Sequence, residues 1–490
     1  MSTEYTNPIL YGDYSDPDVI RVGDCFYMIS SSFPYVPGIP VMRSKDLVHW
    51  ERIGYAAKRI PHSRYDRPAH RCGLFAPSLR YHNGRFYVYV CMPDEGLYAF
   101  TAEDPAGEWE AYLVKRVTGW IDPCPLFDED GRVYLVHGFA GSRVGINNVL
   151  YVHALSDDGL RVLDLGRCVY DGAEHGDSTV EGPKFYKRDG EYFILCPAGG
   201  VTDGYQLALR SRSVYGPYER RVVLSRGDTP VNGPHQGGLC DDGHGNEWFI
   251  HFQDVGVYGR VPHLQPVVRE DGWPVMGNGG VPVPGGTVAL PEAFAEPKFS
   301  DEFENGPGLQ WQWQANPDPA WAEALRPGLR LHAFPADTLF SAPQFLSQMM
   351  PCRDFDMTCF LDPAGLLPGD RAGLGIMGFS YSYAAAEQGR IVLVTGLVRD
   401  RDQLRPLLSE ETELLSLPLP QGESCLRMSV RSGTARFFFG PDPSRLTPLG
   451  PAHPFEAGGW TSARPGVFAL NRSGQRGGYA DVLRVRFERA

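Results

Sequence analysis

The segment Asp16-Pro-Asp-Val-Ile-Arg-Val-Gly-Asp-Cys-Phe-Tyr-Met-Ile29 contains a pattern that occurs five times before residue 250. In each copy a short apolar run leads to a turn that contains glycine, and an aromatic-rich strand follows. The turn glycines are at positions 23, 84, 131, 190 and 245. Repeats of this length, with several short strands in each, are typical of a β-propeller. The sequence therefore predicts a propeller of five blades.

The residues that open the first strand of each repeat are chemically distinctive. Because the innermost strands of a propeller surround its central axis, we expect matched positions on different blades to converge. Three carboxylates, one phenylalanine and one histidine should then meet near the axis. The five openings are Asp16-Pro17, Phe75-Ala76-Pro77, Asp122-Pro123, Glu181-Gly182-Pro183 and His235-Gln236-Gly237.

The sequence changes character after residue 280. Residues 281–297 are rich in proline and glycine and look like a connector. Beyond them, short runs of alternating apolar and polar residues predict antiparallel strands with one solvated face. About 190 residues of such strands predict a β-sandwich. We therefore predict an all-β chain, with a five-bladed β-propeller at residues 1–295 and a C-terminal β-sandwich at 296–490.

Charge, apolar segments and cysteine content limit the binding partners and the cellular compartment that we expect. The formal net charge of −13 would repel a polyanion, which excludes nucleic acid as an expected partner. The first residues lack the basic and apolar segments of a signal peptide, and no apolar stretch has the length of a membrane span. The ten cysteines are scattered without a CxxC motif and predict buried free thiols in a reducing compartment. We expect a cytoplasmic protein with no membrane partner.

Carboxylates that meet at one axis can divide acid and base work between them. Like charges raise the pKa of at least one member, which can leave one acid protonated and one base ionised. Glycoside hydrolysis needs this pair, and the inverting reaction places the two groups about 6.5–9.5 Å apart. Taken singly, Asp16 can be a turn residue, Glu181 a surface acid and His235 a core histidine. Asp18, expected on the same strand face as Asp16, is a second candidate for the base.

An ordered set of segments carries a resemblance to a known family. The propeller resembles glycoside hydrolase family 43, which comprises β-xylosidases and α-L-arabinofuranosidases, and the later region resembles the β-sandwich of its two-domain members. The segments in the propeller are Tyr14-Ser-Asp-Pro-Asp-Val19, Ser30-Ser-Ser-Phe-Pro-Tyr-Val-Pro-Gly-Ile-Pro40, Arg43-Ser-Lys-Asp-Leu-Val-His-Trp50, Ile121-Asp-Pro123, Asn232-Gly-Pro-His-Gln-Gly-Gly238 and Gly259-Arg-Val-Pro-His-Leu-Gln-Pro-Val267; those in the sandwich are Leu309-Gln-Trp-Gln-Trp-Gln-Ala-Asn-Pro-Asp-Pro319 and Phe345-Leu-Ser-Gln348.

The resemblance implies a role for each charged residue. Asp16 would be the general base that holds the attacking water, and Glu181 would be the protonated general acid. Asp122 would orient Glu181 and raise its pKa, since a nearby negative charge disfavours ionisation. Arg260 would bind sugar hydroxyls beside the carboxylates.

The resemblance also implies the aromatic walls of a sugar site. Phe33 and Phe75 would stack on the sugar, although many family members carry tryptophan where this chain has Phe75. In two-domain members an aromatic residue on a sandwich loop reaches over the active site, and here Trp460 or Phe468 would fill that role. The alternative is that Phe468 belongs to the sandwich core and Trp460 to the domain interface.

His235 resembles a family histidine that lies on the propeller axis beneath the sugar. In some members this histidine binds a Ca²⁺ ion that is otherwise largely hydrated. Calcium prefers oxygen ligands, so a single imidazole among waters is an unusual site. The cofactor expected from the resemblance is Ca²⁺ near His235, and the sequence suggests no other.

These inferences together predict an inverting exo-glycosidase. It would release terminal β-D-xylose, α-L-arabinofuranose or both from xylo- and arabino-oligosaccharides. One alternative is a non-catalytic sugar-binding propeller, which predicts loss of Asp16 or Glu181, yet both are present. Another is a fructan-cleaving propeller glycosidase, which would retain configuration through a carboxylate nucleophile. The sequence leaves open whether the chain forms a homo-oligomer.

Overall fold

The structure is a computed structural model that describes residues 2–290, 297–419, 422 and 424–490. The predicted boundary between residues 295 and 296, and most of the second half of the predicted connector, lie outside the described residues. The two regions on either side of this gap have different architectures and are taken in turn.

Five four-stranded antiparallel sheets follow one another along the first region, and each uses its strands in chain order. The strands are β1 (Thr3–Thr6), which precedes the blades; β2 (Asp18–Val22), β3 (Cys25–Ile29), β4 (Gly38–Ser44) and β5 (Glu51–Ala57) in blade one; β6 (Phe75–His82), β7 (Arg85–Met92), β8 (Gly96–Ala102) and β9 (Glu110–Lys115) in blade two; β10 (Trp120–Phe127), β11 (Val133–Phe139), β12 (Val149–Leu155) and β13 (Arg167–Asp171) in blade three; β14 (Lys184–Arg188), β15 (Glu191–Ala198), β16 (Tyr205–Ser211) and β17 (Glu219–Leu224) in blade four; β18 (His235–Asp241), β19 (Glu247–Asp254), β20 (Arg260–Glu270) and β21 (Trp273–Met276) in blade five; and β22 (Gly285–Val288).

Helical segments are short and lie in the connections. Both α-helices of the described chain have four residues, far fewer than the about 20 that a bilayer-spanning helix requires. The α-helices are α1 (Gly141–Val144) and α2 (Gly200–Asp203), and the 3₁₀-helices are Ser63–Asp66, Gly172–His175, Gly256–Tyr258, Pro319–Trp321 and Leu339–Ser341.

The ring of blades closes where blade five meets blade one. A Cβ atom on Gly238 would lie 2.5 Å from the backbone nitrogen of Val19, so only glycine allows the first strands of these two blades to approach this closely. Arg21 on blade one forms an ion pair of 2.8 Å with Asp241 on blade five. Strand β1 pairs with β22 after the last blade, which brings the start and end of the propeller region together.

A polar network ties all five blades together. Asp18 of blade one accepts a hydrogen bond of 2.9 Å from Arg80 of blade two. A second nitrogen of Arg80 lies 2.7 Å from the sulfur of Cys124 in blade three. The guanidinium lies 5.2 Å from the ring centre of Tyr186 in blade four, whose hydroxyl accepts a hydrogen bond of 2.9 Å from the Leu239 backbone N–H in blade five. Arg80 is therefore a central link of the propeller.

The second region forms two eight-stranded sheets around a shared apolar core, whose members include Met357, Leu374 and Val467. One sheet has the order β23-β27-β37-β29-β30-β31-β32 with β26 beside β37, and the other has the order β24-β25-β38-β28-β33-β34-β35 with β36 beside β34. The strands are β23 (Gln312–Trp313), β24 (Ala322–Ala324), β25 (Leu329–His332), β26 (Phe334–Pro335), β27 (Leu346–Ser347), β28 (Phe355–Asp362), β29 (Asp370–Met377), β30 (Ser380–Glu387), β31 (Arg390–Val398), β32 (Ser409–Pro418), β33 (Ser424–Arg431), β34 (Thr434–Gly440), β35 (Thr447–Pro448), β36 (His453–Pro454), β37 (Arg464–Asn471) and β38 (Tyr479–Arg489).

The predicted all-β fold, a five-bladed propeller followed by a β-sandwich, is confirmed. The sandwich is hydrogen-bonded directly to blade one, since Val36 and Trp313 exchange backbone hydrogen bonds of 2.9 and 2.6 Å.

The ten cysteines are free thiols, as predicted. Cys168 is exposed and Cys25 and Cys352 are half-buried, so the expectation that the thiols are buried is wrong at these three positions.

Candidate functional site

A cavity of about 520 Å³ lies where the first strands of the blades come together. It is lined by residues from all five blades and by one residue of the sandwich. Among the residues singled out in the sequence, those that line it are Asp16, Phe33, Phe75, Asp122, Glu181, Arg260 and Trp460. The carboxylates that were expected to converge from separate repeats therefore share one cavity.

The five blades share an unusual backbone conformation at the cavity. One residue at the start of each first strand has φ near +50°, a region that residues other than glycine rarely adopt. For residues other than glycine such conformations cost about 1–3 kcal/mol each, and they concentrate at functional sites. The residues are Asp16 (φ 54°), Ala76 (φ 47°), Asp122 (φ 56°), Gly182 (φ 53°) and Gln236 (φ 53°).

This conformation corrects the alignment of the repeats. Only Asp16 and Asp122 occupy the left-handed position, whereas Phe75, Glu181 and His235 each precede it by one residue. The pairing register shifts at the same place in blades two, three and five, because one or more residues are left out of the ladder. The openings are therefore of two kinds, and both kinds deliver side chains to the axis.

The same conformation breaks the strand alternation on which the second candidate base depended. Asp18 does not line the cavity. Its side chain is fully buried, and Oδ2 accepts hydrogen bonds from the backbone N–H of Leu79 at 2.8 Å and from Arg80 at 2.9 Å. Asp18 thus belongs to the network between blades, and Asp16 alone of the two acids faces the cavity.

Both oxygens of Asp16 accept hydrogen bonds. Ser31 Oγ donates to Oδ2 at 2.6 Å, and Arg260 Nη1 lies 3.2 Å from Oδ1. Ser31 is itself oriented, because its Oγ accepts a hydrogen bond of 2.7 Å from the backbone N–H of Ala76. A charged and a neutral donor therefore hold this carboxylate as a hydrogen-bond acceptor, which suits a general base.

Asp122 and Glu181 have raised pKa values. Burial raises the pKa of Glu181 to about 8; the charges of Asp122 and Asp16 add to this effect, and that of Arg260 opposes it. Burial also raises the pKa of Asp122 to about 7, although the Gly182 N–H, which donates to its Oδ2 at 2.7 Å, acts in the opposite direction. At neutral pH this pair therefore retains a proton, as a site with a general acid requires.

Arg260 brings positive charge to this group of acids. Its side chain is largely buried, with its guanidinium 5.0 Å from the ring centre of Phe252. Its backbone N–H donates to Oδ1 of Asp13 at 3.1 Å. Arg260 is thus held from both ends, and its fixed charge partly offsets the carboxylates around it.

His235 lies next to the cavity but is not among the residues that line it. The ring is fully buried, and neither nitrogen has a hydrogen-bond partner of normal geometry within the described residues. Burial lowers the pKa of His235 to about 4, so the imidazole is neutral at pH 7 and one nitrogen is available as an acceptor or ligand. The described chain contains no cluster of three or more metal-ligating side chains. A cation here would be held by His235 and would need water for its other ligands.

Aromatic rings form one wall of the cavity. Phe33 and Phe75 are stacked with centroids 5.4 Å apart, and Trp460 contacts Phe75 edge-on at 6.1 Å. Trp460 is 40% exposed, so part of its ring faces the open space. Phe468, by contrast, is fully buried against Tyr383 in the sandwich. Of the two sandwich candidates, Trp460 is the one that reaches the cavity.

Sequence reasoning missed a second wall. Helix α1 and the residues after it, including Ser142, Arg143, Asn147 and Asn148, line the cavity. These residues form the connection between β11 and β12, which spans residues 140–148 where a hairpin would need only a few residues. The length of this connection is the signal that could have identified it.

The comparisons with known proteins match both regions. The family model described as glycosyl hydrolases family 43 matches residues 5–274, and the model described as the β-xylosidase C-terminal concanavalin A-like domain matches residues 300–488. These matches confirm the resemblance that the sequence carries.

Individual relatives agree with these models. A putative β-xylosidase of Xylanibacter ruminicola is 45% identical over 70% of this chain, and the match spans 65% of that protein, less than two thirds of its length. A non-reducing-end α-L-arabinofuranosidase of Bacteroides ovatus is 31% identical over 76% of this chain and 73% of its own. A solved structure of an engineered family 43 glycoside hydrolase, described as displaying both endo-xylanase and exo-arabinofuranosidase activity, covers 100% of both chains at 27% identity and a TM-score of 0.89.

Proposed function

We propose that this chain, which belongs to glycosyl hydrolases family 43, removes terminal pentoses from oligosaccharides with inversion of configuration. The observation that carries the proposal is the pairing of two unlike carboxyl groups in one cavity. Asp16 is held as an acceptor by Ser31 and Arg260, while burial raises the pKa of Glu181 to about 8. One group is equipped to take a proton and the other to give one.

The reaction needs one proton to enter and one to leave. Glu181 donates its proton to the glycosidic oxygen, and the bond between that oxygen and the anomeric carbon breaks. A water molecule attacks the opposite face of the sugar, and Asp16 removes its proton as the new carbon–oxygen bond forms. The proton balance is restored when Glu181 is reprotonated and Asp16 releases its proton to solvent.

Asp122 and Arg260 adjust this chemistry without exchanging protons with the substrate. Asp122 accepts the N–H of Gly182, the residue after the acid, and so fixes the backbone that carries Glu181. Its negative charge is the second-largest cause, after burial, of the raised pKa of Glu181. Arg260 pairs with Asp16 and can donate to sugar hydroxyls from its remaining N–H groups.

We propose an exo mode of action because the cavity is walled on several sides. Phe75 and Trp460 form one wall, and the segment from α1 to Asn148 forms another. The volume of about 520 Å³ is in the range of small-ligand sites. A site of this shape favours the end of a sugar chain over its middle.

The substrate is proposed to be a terminal β-D-xylose, an α-L-arabinofuranose, or both, in xylo- and arabino-oligosaccharides. The relatives with these activities in their names support the class of sugar but divide between the two. The experiment that tests the proposal compares hydrolysis of 4-nitrophenyl β-D-xylopyranoside, 4-nitrophenyl α-L-arabinofuranoside and xylobiose. Activity on none of the three would overturn it, and retained sugar binding without turnover would indicate a binding propeller.

Isosteric variants assign the roles. Asp16→Asn should lose activity on every substrate, because the attacking water then lacks its base. Glu181→Gln should lose far more activity on xylobiose than on nitrophenyl substrates, because nitrophenolate leaves without a proton. Asp128→Asn is the matched control, a buried carboxylate bonded to Lys187 and Tyr192 outside the cavity. Proton NMR of the first sugar released should show inversion, and retention would instead indicate a carboxylate nucleophile.

We further propose that a hydrated Ca²⁺ binds at His235, whose buried, neutral ring has no hydrogen-bond partner of normal geometry within the described residues and keeps one nitrogen available as a ligand. Metal analysis of the purified protein, and of His235→Ala, tests this directly. Loss of stoichiometric calcium in the variant is expected, and its absence from both proteins would refute the site. The cytoplasmic location stays a prediction.

A further inference from the structure

A buried carboxylate outside the catalytic group joins the two domains beside the cavity. Asp13 is 5% exposed, and its two oxygens have different partners. Oδ1 accepts a hydrogen bond of 3.1 Å from the backbone N–H of Arg260 in blade five. Oδ2 accepts a hydrogen bond of 2.7 Å from the backbone N–H of Ser462 in the sandwich.

The propeller side of this contact is built to receive the carboxylate. Gly259 has φ of +85°, and a Cβ atom there would lie 2.6 Å from the carboxyl carbon of Asp13. Only glycine permits this approach. Tyr14, which follows Asp13 in the chain, donates its backbone N–H to the Arg260 carbonyl at 3.1 Å. Asp13 and Tyr14 together therefore fix the backbone of the arginine that pairs with Asp16.

The sandwich side of the contact is the loop that carries Trp460. Gly458 closes a turn by donating to the Thr461 carbonyl at 2.9 Å, and Trp460 within it has φ of +68°. Ala463 donates its N–H to the Val257 carbonyl of the propeller at 2.9 Å, next to the bond from Ser462 to Asp13. The loop is thus tied to blade five immediately after the strained tryptophan.

The ring of Trp460 contacts two cations of the propeller. The guanidinium groups of Arg71 and Arg143 are each 5.7 Å from its ring centre. The backbone hydrogen bonds of Ser462 and Ala463 tie the loop to the propeller two and three residues after this ring. A shift of the loop would therefore move the aromatic wall relative to Phe75.

We propose that Asp13 is a positioning residue that couples the Trp460 loop of the sandwich to the Arg260 strand of the propeller, so that the aromatic wall and the arginine partner of the base are set by one carboxylate. The sandwich then takes part in forming the sugar site. The inference rests on the proposed function for its kinetic consequences, but the coupling itself has a readout that requires no activity.

The first test measures backbone exchange. In Asp13→Asn an NH₂ group replaces one oxygen. The side chain can then no longer accept hydrogen bonds from both N–H donors. Hydrogen exchange of peptides covering 458–463 and 259–262 should then accelerate at least about tenfold relative to wild type. Asp46→Asn is the matched control, because Asp46 is a fully buried carboxylate that accepts from the N–H groups of Val48 and His49, away from the loop. Equal exchange in Asp13→Asn and wild type would overturn the proposal.

The second test is a double-mutant cycle on the substrate that the wild type hydrolyses. Trp460→Ala should raise KM about tenfold in the wild type and in Asp46→Asn, but less than about threefold in Asp13→Asn, where the wall is already displaced. Equal effects of Trp460→Ala in all three backgrounds would contradict the coupling. If the wild type hydrolyses no pentoside, the proposed function fails while the exchange result still decides the coupling.

A measurement on the unaltered protein covers the case in which Asp13→Asn does not fold. In urea below the unfolding transition, peptides 458–463 and 259–262 should open as one unit, with the same opening equilibrium and the same urea dependence. Opening of the loop about tenfold or more ahead of the Arg260 strand would show that the carboxylate does not join them, and would overturn the proposal.

Discussion

Replacing Asp122 by asparagine should move the alkaline limb of the pH–rate profile to lower pH. The amide keeps the shape of the side chain, and its oxygen can still accept the Gly182 N–H, so the backbone beside Glu181 stays in place. What disappears is a negative charge that raises the pKa of Glu181. In the variant Glu181 therefore loses its proton at lower pH, and the protonated, active form is lost earlier as the pH rises.

The size of the shift follows from the geometry. Gly182 N lies 2.7 Å from Asp122 Oδ2, and one peptide unit plus an extended glutamate side chain add about 7 Å, so the two carboxylates are at most about 10 Å apart. At an effective dielectric constant of about 20, two unit charges at about 10 Å interact by about 1.7 kcal/mol. This energy corresponds to about 1.2 pKa units, and a shorter separation would give more.

The assay is kcat/KM on xylobiose or the active nitrophenyl pentoside, measured from about pH 5.5 to 9.5. With the pKa of Glu181 at about 8 in the wild type, a shift of about one unit makes the variant about fivefold poorer relative to wild type at pH 8 than at pH 6. Asp128→Asn should leave the limb where it is. An alkaline limb that stays in place or moves to higher pH in Asp122→Asn would refute the electrostatic role of Asp122.

Three further predictions concern the cavity and the closure of the propeller. Arg80→Met should lower stability by about 3–5 kcal/mol in urea unfolding, because it leaves the buried Asp18 carboxylate without its charged partner. Gly238→Ala should cost about 1–3 kcal/mol and lower Tm, since the added Cβ would lie 2.5 Å from the Val19 nitrogen at the seam between blades. Trp460→Ala should raise KM for disaccharides while leaving Tm nearly unchanged, because the 40% exposed ring lies at the rim of the cavity; a fall in Tm of several degrees would contradict this.

The architecture was predictable because the repeats are local. Each glycine turn and its aromatic strand recur within a span that forms one blade, and the later alternating runs show the period of half-exposed strands. The convergence of Asp16, Asp122 and Glu181 followed from the geometry of a propeller. Their separate roles came from the family resemblance, since spacing alone distinguishes no acid from a base.

Other features depend on contacts that no local pattern encodes. The residues in the left-handed conformation at the blade openings are aspartate, alanine, glycine and glutamine. They share no residue type from which this conformation could be predicted. Trp460 reaches the cavity through a bond from Ser462 to Asp13, which lies 449 residues away in the chain. The wall after α1 is set by an irregular connection. Each of these features arises from tertiary packing, which overrides local preference.

The neighbouring acids Asp16 and Asp18 show how closely stability and chemistry are linked in this fold. At φ of +54° the chain turns at Asp16, so that this residue faces the cavity, while two residues later Asp18 faces the network around Arg80. The contact of Asp18 with the backbone of Leu79 anchors strand β2, which begins two residues after Asp16. A substitution at Asp18 should therefore reduce activity as well as stability, although Asp18 does not line the cavity. Because a purely structural role would allow activity per folded molecule to stay constant, measuring kcat alongside the folded fraction of Asp18→Asn separates the two effects.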